Sequence, residues 1–315
     1  MLIYILKRFI YALPIALCVS ALTFALVYMA PGDPLNAIAP GDASAEMVQA
    51  LKVTYGFDQP IPVQYVKWLW RAAHGDLGVS IASGRSVTSE VGSALKNTLF
   101  LALIASGIGV LFGFLLGGLA GLYKDSWIDR LSTFVSLIGV SIPHYWLGLV
   151  LTIIFSVWLG WFPAMGGGSA TGWAWDFEHF KYVILPAITL SVIPAGIITR
   201  SVRALVSDVL NREFVVSLRA RGLSEGAILR HVARNALPTV LAVAGLQIGY
   251  LMGGSILVET VFSWPGTGFL LNIAIFQRDI PLLQGIVLVL CLIFVFLNLL
   301  VDIVQSMLDP RMKRS

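Results

Sequence analysis

The arginines of this chain are densest in one segment, Arg200 to Pro238, whose residue types suit docking on a partner. It carries seven arginines, a central Glu213, a lone Gly222 and the pair Ser224-Glu225. Arginines at this density supply ion-pairing and hydrogen-bonding groups rather than a nucleophile or a general base. The chemistry that this segment predicts is therefore recognition, in a chain that is otherwise mostly apolar.

The apolar residues of the same segment recur at helical spacing. Val216, Ala220, Leu223 and Ala227 fall on one side, and four of the arginines fall largely elsewhere around the axis. Glycine lets the backbone turn without a Cβ penalty, and serine followed by glutamate is a helix start signal. The pattern predicts two short helices joined at Gly222 that form a docking surface. The alternative is a basic stretch lying on the anionic inner leaflet.

Residue patterns for catalysis or metal binding are missing from the sequence. No Gly-Lys pair occurs, which excludes a standard phosphate-binding loop, and there is no His-x-x-x-His pair or cysteine cluster. We therefore expect a chain that is not an enzyme, does not hydrolyse ATP alone and holds no metal or cofactor. Cys18 and Cys291 fall in apolar stretches, where they pack as small residues. His144 also lies in such a stretch and is either a structural group or a functional one.

The composition is that of a polytopic membrane protein. Of the 315 residues, 57% are hydrophobic and only 12% are charged, about half the charged fraction usual in soluble domains. Six uncharged windows are long enough to cross a bilayer. They lie near Phe9 to Ala30, Asn97 to Tyr123, Leu131 to Trp161, Tyr182 to Thr199, Leu237 to Val258 and Ile280 to Val301. Pro143 predicts a kink in the third of them.

The cores of these windows contain no Asp, Glu, Lys or Arg. Ion-coupled carriers commonly need such groups at mid-membrane, so the energy for any transport is expected to enter elsewhere. An ion-coupled secondary carrier remains the rival class. Both chain ends are predicted to be cytoplasmic, because that orientation places 14 of the 21 lysines and arginines inside. The net charge of +4 reflects this bias and does not call for nucleic acid.

Two of the three segments predicted to be external carry the residues assigned to a gate or a partner contact. In the first, Pro31 to Lys96, an amphipathic stretch includes Trp68, which either anchors the chain at the outer leaflet or contacts a soluble partner. The second, Glu259 to Asp279, is short, aromatic and sharply turned, so we expect it to fold back over the mouth of a pore. The residues assigned to an external gate or partner contact are Glu259, Phe262, Trp264, Pro265 and Trp68.

Small residues mark two of the spans. Glycines at Gly113, Gly117, Gly118 and Gly121, and again between Gly245 and Gly254, would let helix backbones approach closely. Polar side chains in the spans are candidates for lining a water-filled path. Those assigned are Ser141, His144, Gln247 and Tyr250.

Seven motifs in order extend this interpretation over essentially the whole chain. They are Ala30-Pro31-Gly32-Asp33-Pro34, Gly75-Asp76-Leu77-Gly78, Ser141-Ile142-Pro143, Leu185-Pro186-Ala187, Arg219-Ala220-Arg221-Gly222-Leu223, Glu259-Thr260-Val261-Phe262-Ser263-Trp264-Pro265-Gly266 and Asp309-Pro310-Arg311. With them the sequence resembles the permease subunits of dipeptide, oligopeptide and nickel ABC importers, specifically the subunit with a large loop after its first span. The family signature begins Glu-Ala-Ala, and here Phe214 and Val215 replace the two alanines.

The resemblance implies an all-α fold, the six-helix transmembrane domain of a type I ABC importer in the bacterial inner membrane. Residues 1–96 would form the first span and an external loop, and residues 97–315 a five-helix core with a cytoplasmic coupling helix near 213–230. The coupling helix would dock on an ATPase subunit. The residues carried over to it are Glu213, Leu218, Arg219, Ala220, Arg221, Gly222, Leu223 and Ser224.

The same resemblance implies the partners. They are a second, homologous permease subunit, two ATPase subunits that bind Mg-ATP, and an external substrate-binding protein, all around a path that opens by alternating access. Peptides are the implied cargo, with nickel chelates, glutathione or another small solute as alternatives.

Overall fold

A computed structural model of the chain describes residues 2–29, 44–55, 58–167 and 177–308. These residues form eleven α-helices and one π-helical segment, and their only strand-like pairing is an isolated bridge between Val79 and Ser86. The α-helices are α1 Leu2–Met29, α2 Ala45–Tyr55, α3 Ile61–Ala73, α4 Val87–Leu122, α5 Trp127–Ser141, α6 His144–Leu151, α7 Phe177–Leu210, α8 Glu213–Ala220, α9 Glu225–Val261, α10 Thr267–Gln277 and α11 Ile280–Leu308. The first and last family-like motifs, around Pro31 and Pro310, lie outside the described residues.

The predicted all-α, multi-span fold is confirmed. Among the described residues, four helices are long and apolar enough to cross a membrane, namely α4, α7, α9 and α11. The pair α5 and α6 would add a fifth if it is one broken span. The described apolar part of α1, Leu13–Ala25, is shorter than a full span. The count of six is compatible with this arrangement and stays a prediction.

The kink predicted at Pro143 is present and is sharp. Helix α5 ends at Ser141, α6 begins at His144, and the two axes differ by 103°. Proline cannot donate the backbone hydrogen bond that would continue the helix, and the residue before it is pushed to an extended conformation. Ile142 has such a conformation, with φ −79° and ψ 127°. The π-helical segment Thr152–Trp158 then continues α6.

Two compact units divide the chain. Of the described residues, the larger unit contains those in Leu99–Trp264 and in 297–308, and the smaller contains those in Leu2–Thr98 and Pro265–Phe296. The expected division into residues 1–96 and 97–315 stays a prediction.

Helix α7 is the central helix of the larger unit. It packs against α9 and α5, and the glycines of α4 lie directly on it. A Cβ atom added at Gly113, Gly117 or Gly121 would approach side chains or carbonyls of α7 to 2.7 Å or less. Gly118 lies on another side of α4, where an added Cβ would meet nothing within 4 Å. Three of the four glycines therefore form the predicted close helix contact.

In the smaller unit, Trp68 is a core residue. Its side chain is 5% exposed and packs with the rings of Phe24 and Tyr65. The exposed tryptophan of α3 is Trp70, at 69%. The apolar face of α3 packs on α1 in this structure, through Trp68 and Tyr65, and the assignment of Trp68 to an external contact stays a prediction.

Candidate functional site

The turn between α8 and α9 is built around Gly222. The N–H of Gly222 donates to the Arg219 carbonyl (2.9 Å), and the N–H of Leu223 donates to the Leu218 carbonyl (3.3 Å). This pair of bonds, with a left-handed residue between helix and exit, is the Schellman motif. Gly222 has φ 77°, which L-residues with a Cβ rarely adopt. The helix end is thus defined by a residue that the sequence itself singles out.

Helix α9 begins where the Ser-Glu signal predicts, at Glu225. Ser224 has the extended backbone of an N-cap residue, and its carbonyl accepts from the N–H groups of Ala227 and Ile228. Its hydroxyl makes no capping hydrogen bond. The prediction that the second helix is short is wrong, since α9 continues through Pro238 to Val261. Hereafter the coupling elbow means residues Arg212 to Glu225.

The inner face of the coupling elbow is anchored on two long helices. Val215 is fully buried, and Phe214, Leu218 and Leu223 pack against a cluster contributed mainly by α7 and α9. The apolar stripe predicted from Val216, Ala220, Leu223 and Ala227 is only partly correct. Val216 is 62% exposed, and Ala220 is exposed as well. The buried face of α8 is therefore rotated about the helix axis relative to the predicted stripe, because α8 packs on α7 and α9 with Val215 inward.

The outer face of the coupling elbow is charged and open. It presents Arg212, Glu213, Arg219, Ala220, Arg221 and Ser224, all exposed. Arg219 reaches across Gly222 to the Glu225 carboxylate, with Nε to Oε1 at 3.1 Å and Nη2 to Oε2 at 3.4 Å. An ion pair with both side chains more than half exposed contributes little stability. Its geometric effect is to link the end of α8 to the start of α9.

The segment predicted to form an external gate begins inside a helix. Helix α9 extends to Val261, so Glu259 is helical, and its side chain is fully buried. Phe262 and Trp264 are also buried, at 2% and 0% exposure, and belong to the main apolar cluster of the larger unit. In this structure these three side chains are core residues and do not offer a surface to a partner.

A second turn closes this region within the larger unit. Ser263 has φ 48°, and the N–H of Gly166 donates to the carbonyl of Phe262 (2.8 Å). The stretch that follows α6 and its π-helical extension is thereby fixed against the end of α9. Aromatic rings of Phe155 and Trp161 pack beside it, with centroids 5.7 Å apart.

The remaining predicted gate residue, Pro265, belongs to the smaller unit and is exposed. Its carbonyl accepts from the Asn97 side chain (2.8 Å). The far end of the same predicted segment is fixed by Asp279, which is fully buried. The Asp279 carboxylate accepts from the Ser80 hydroxyl (2.5 Å) and from the backbone N–H groups of Ala82 and Leu282 (both 3.1 Å). These bonds fix the loop that contains Ser80 to the start of α11.

The four residues predicted to line a path all lie in the larger unit. Ser141 and His144 flank the break between α5 and α6, and Ser141 is exposed. The His144 ring interacts with the backbone of Thr189, although neither ring nitrogen makes a hydrogen bond of good geometry within the described residues. On α9, Tyr250 is 53% exposed, whereas Gln247 is half-buried with its Oε1 unpaired among the described residues.

One ion pair was not anticipated from the sequence. Asp129, on the first turn of α5, is 3% exposed, and both of its carboxylate oxygens bind the Arg203 guanidinium on α7. The pattern Ser126-x-x-Asp129 did carry a local signal, since the Ser126 hydroxyl accepts from the Asp129 N–H at the start of α5. No local pattern connects it to a residue 74 positions away.

The sequence of this chain is similar to those of membrane transport components. Residues 109–314 match the family described as binding-protein-dependent transport system inner membrane component, and residues 1–101 match the N-terminal region of such components. A putative peptide transport system permease protein of Brucella abortus (strain 2308) is 40% identical over 314 residues, covering 98% of each chain. The glutathione transport system permease protein of Escherichia coli (strain K12) is 38% identical over 314 residues, covering 99% of each.

Among solved structures, the MetNI methionine ABC transporter in an inward-facing conformation is similar in fold. The match has a TM-score of 0.56 at 17% identity and covers 70% of this chain and 96% of that chain. The predicted fold, the transmembrane domain of a type I ABC importer, is confirmed by this similarity together with the family match.

Proposed function

This chain belongs to the family of inner membrane components of binding-protein-dependent transport systems, and from that premise we propose that the solute it passes is a peptide. It is a permease of an ABC importer and a multi-pass inner membrane protein. Peptide cargo is supported by relatives named peptide transport permeases at 40% identity over 98% of the chain. Glutathione, itself a small peptide, is the second candidate, because a glutathione permease is 38% identical. A nickel chelate or another small solute remains the alternative.

The coupling elbow is the observation that supports ATP-driven transport best. Its inner face is fixed on α7 and α9, and its outer face presents charged groups that are not needed for packing. We propose that this outer face docks on an ATPase subunit at the cytoplasmic surface. Glu213, Arg219 and Arg221 would make polar contacts there, whereas Leu218 and Leu223 hold the elbow on the spans. In this orientation both chain ends are cytoplasmic.

The proposed mechanism is alternating access driven from the elbow. Mg-ATP would bind to two ATPase subunits, and their closure would move the elbow of this chain and that of a second, homologous permease. Because α8 is followed directly by α9 and preceded by α7, its displacement is passed to helices of 37 and 34 residues. Such switching requires rigid helices that have two discrete arrangements.

We propose that Glu259, Phe262 and Trp264 act as the packed end of α9 that shifts during opening, rather than as a contact for the binding protein. Ser141, His144, Gln247 and Tyr250 remain the proposed path-lining residues. The external substrate-binding protein would contact exposed residues of the external segments.

The peptide proposal is tested with the complete transporter in liposomes. The chain is reconstituted with its second permease and ATPase subunits, and the binding protein is added with ligands of graded chemistry: di- to pentapeptides, glutathione and a nickel–histidine chelate. We expect peptides to raise the ATPase rate severalfold and to accumulate inside. Binding protein without ligand is the control. Stimulation by the nickel chelate alone would refute peptide cargo while leaving an importer, and uptake that needs no ATP would refute the importer mechanism.

A further inference from the structure

The ion pair between Asp129 and Arg203 joins two helices that are far apart in sequence. Arg203 donates from Nε to one carboxylate oxygen and from Nη2 to the other (2.7 Å). The same carboxylate accepts from the N–H of Asp125 (2.9 Å) and the hydroxyl of Thr133 (3.3 Å). Asp129 thus has four donors around it, whereas the Arg203 side chain stays 32% exposed.

Stability alone is a poor explanation for this pair. Removing a carboxylate from water is costly, and a buried ion pair frequently stabilises a protein no more than apolar residues of similar volume would. What a two-pronged guanidinium–carboxylate contact does supply is a fixed geometry. The pair therefore fixes the start of α5 on α7 at one position and orientation.

The rest of α5 also lies tightly on α7. A Cβ atom added at Gly196 would be 2.7 Å from both the Ser136 carbonyl and the Val140 side chain, and one added at Gly139 would be 2.9 Å from Val192. The two glycines therefore let α5 and α7 approach so closely that a methyl group would not fit between them at either position. Together with the ion pair they hold α5 on α7 at its beginning and near its end.

Both helices lead directly to parts that the proposed function requires to move. Only Asn211 and Arg212 separate the end of α7 from α8, and no proline lies between Arg203 and that end. Helix α5 leads through Ile142 and Pro143 into the 103° break before α6. If a displacement of the coupling elbow tilts α7, α5 would therefore move with α7. The break between α5 and α6, just before His144, would move as well.

We propose, resting on the proposed function, that the pair Asp129–Arg203 is a positioning tie that makes the broken span follow the coupling elbow. In this role the two residues act through the helices that carry them and not through contact with solute or nucleotide. Their role is to prevent α7 from moving while α5 stays behind. Without the tie, ATP hydrolysis would continue but would be poorly linked to opening of the path.

The test is a double-mutant cycle in the reconstituted transporter with Asp129→Asn, Arg203→Gln and both together. We expect the Asp129→Asn transporter to have the basal ATPase rate and the melting temperature of the wild type. Substrate stimulation of its ATPase should fall about tenfold, which is within the range of coupling between sites. The double variant should lose no more than Asp129→Asn, because residues of one pair are non-additive. Arg130→Gln, which changes the exposed neighbouring arginine, is the control and should leave stimulation intact.

Arg203→Gln alone leaves a buried carboxylate uncompensated and is expected to be the least stable of the three. If it does not fold, the comparison of Asp129→Asn with the double variant carries the test. The tie would be overturned by full stimulation in Asp129→Asn or by a further tenfold loss of stimulation in the double variant. It would also be overturned if stimulation fell only in proportion to a lower melting temperature.

Hydrogen exchange of the purified permease separates this proposal from the proposed function. We expect backbone amides of α5 to exchange about tenfold faster in Asp129→Asn, while those of α8 stay unchanged. Unchanged exchange in α5 refutes the tie whatever the transporter does. A different result would refute the proposed function and not the tie. In that case α5 exchanges faster in Asp129→Asn, but no solute stimulates ATP hydrolysis by the wild-type complex, and the pair is then only a fixed contact between two helices.

Discussion

Replacing Gly222 by proline is expected to abolish most substrate-stimulated ATP hydrolysis while leaving the transporter assembled. Proline fixes φ near −65°, whereas Gly222 has φ 77°. Proline also removes the N–H that donates to the Arg219 carbonyl. Helix α8 would lose its Schellman ending and change its angle to α9. We expect stimulation to fall roughly tenfold or more, in line with a loss of coupling between sites.

Assembly should persist because nothing lies within 4 Å of a Cβ atom added at Gly222. Two variants serve as controls. Gly222→Asn should retain most stimulation, because asparagine tolerates the left-handed region better than other residues with a Cβ. Gly226→Ala lies four residues on, at a helical position with open space, and should behave as wild type. Normal stimulation and uptake in Gly222→Pro would show that the coupling elbow does not transmit force.

A single methyl group at Gly117 is expected to destabilise the permease more than any surface change. The added Cβ would lie 2.5 Å from the Thr199 carbonyl oxygen and 2.7 Å from the Val202 Cβ. Because one of these atoms is backbone, relief requires α4 and α7 to move apart. Overpacking in a tight core typically costs about 1–3 kcal/mol. We expect Gly117→Ala to reach the upper end of that range, measured as a lower melting temperature in detergent.

The neighbouring glycine provides a matched control. Gly118→Ala introduces the same methyl into the same helix, but nothing lies within 4 Å of it. Both substitutions change helix propensity equally, so their difference isolates the contact with α7. A melting temperature as high for Gly117→Ala as for Gly118→Ala would mean that α4 and α7 do not pack as closely as described.

Local signals account for what the sequence predicted correctly at the coupling elbow. A glycine at a helix end and a Ser-Glu pair at a helix start act over three or four residues, so Gly222 and Glu225 could be placed without knowing the fold. The rotation of α8 about its axis could not be predicted in this way. Periodicity predicted Val216 and Ala220 on the apolar side, yet Val215 is the buried residue, because α7 and α9 select the face that packs.

The burial of Glu259 at the end of α9 could not be read from its charge. A glutamate beyond an apolar window predicts a side chain in water, and the placement of Glu259 on the external side stays a prediction. In the fold the helix continues past it, and the carboxylate is fully buried. The burial of Trp68 could not be predicted either, since an aromatic residue on an amphipathic helix suits a membrane surface or a core. Burial is a property of the packed neighbours, which a single segment does not encode.

Contacts between distant parts of the chain were the least predictable. Pro143 predicted a kink, but the angle of 103° depends on how α5 and α6 pack on other helices. In the sequence, Asp129 is an acidic residue near a helix start, and Arg203 is one of seven arginines in its segment. Neither pattern predicts an ion pair between them. Only the fold brings them together across 74 positions.

The most direct measurement of the central claim is crosslinking of α8 to an ATPase subunit. In a background with Cys18→Ala and Cys291→Ala, cysteine is introduced at Val216, which is 62% exposed, or at Val215, which is fully buried. After assembly with ATPase subunits and treatment with a short reagent that joins a cysteine thiol to a nearby amine, Val216→Cys is predicted to give a product containing both chains, and Val215→Cys none. Absence of the product from Val216→Cys, or equal yields from both positions, would contradict docking through the outer face of the coupling elbow.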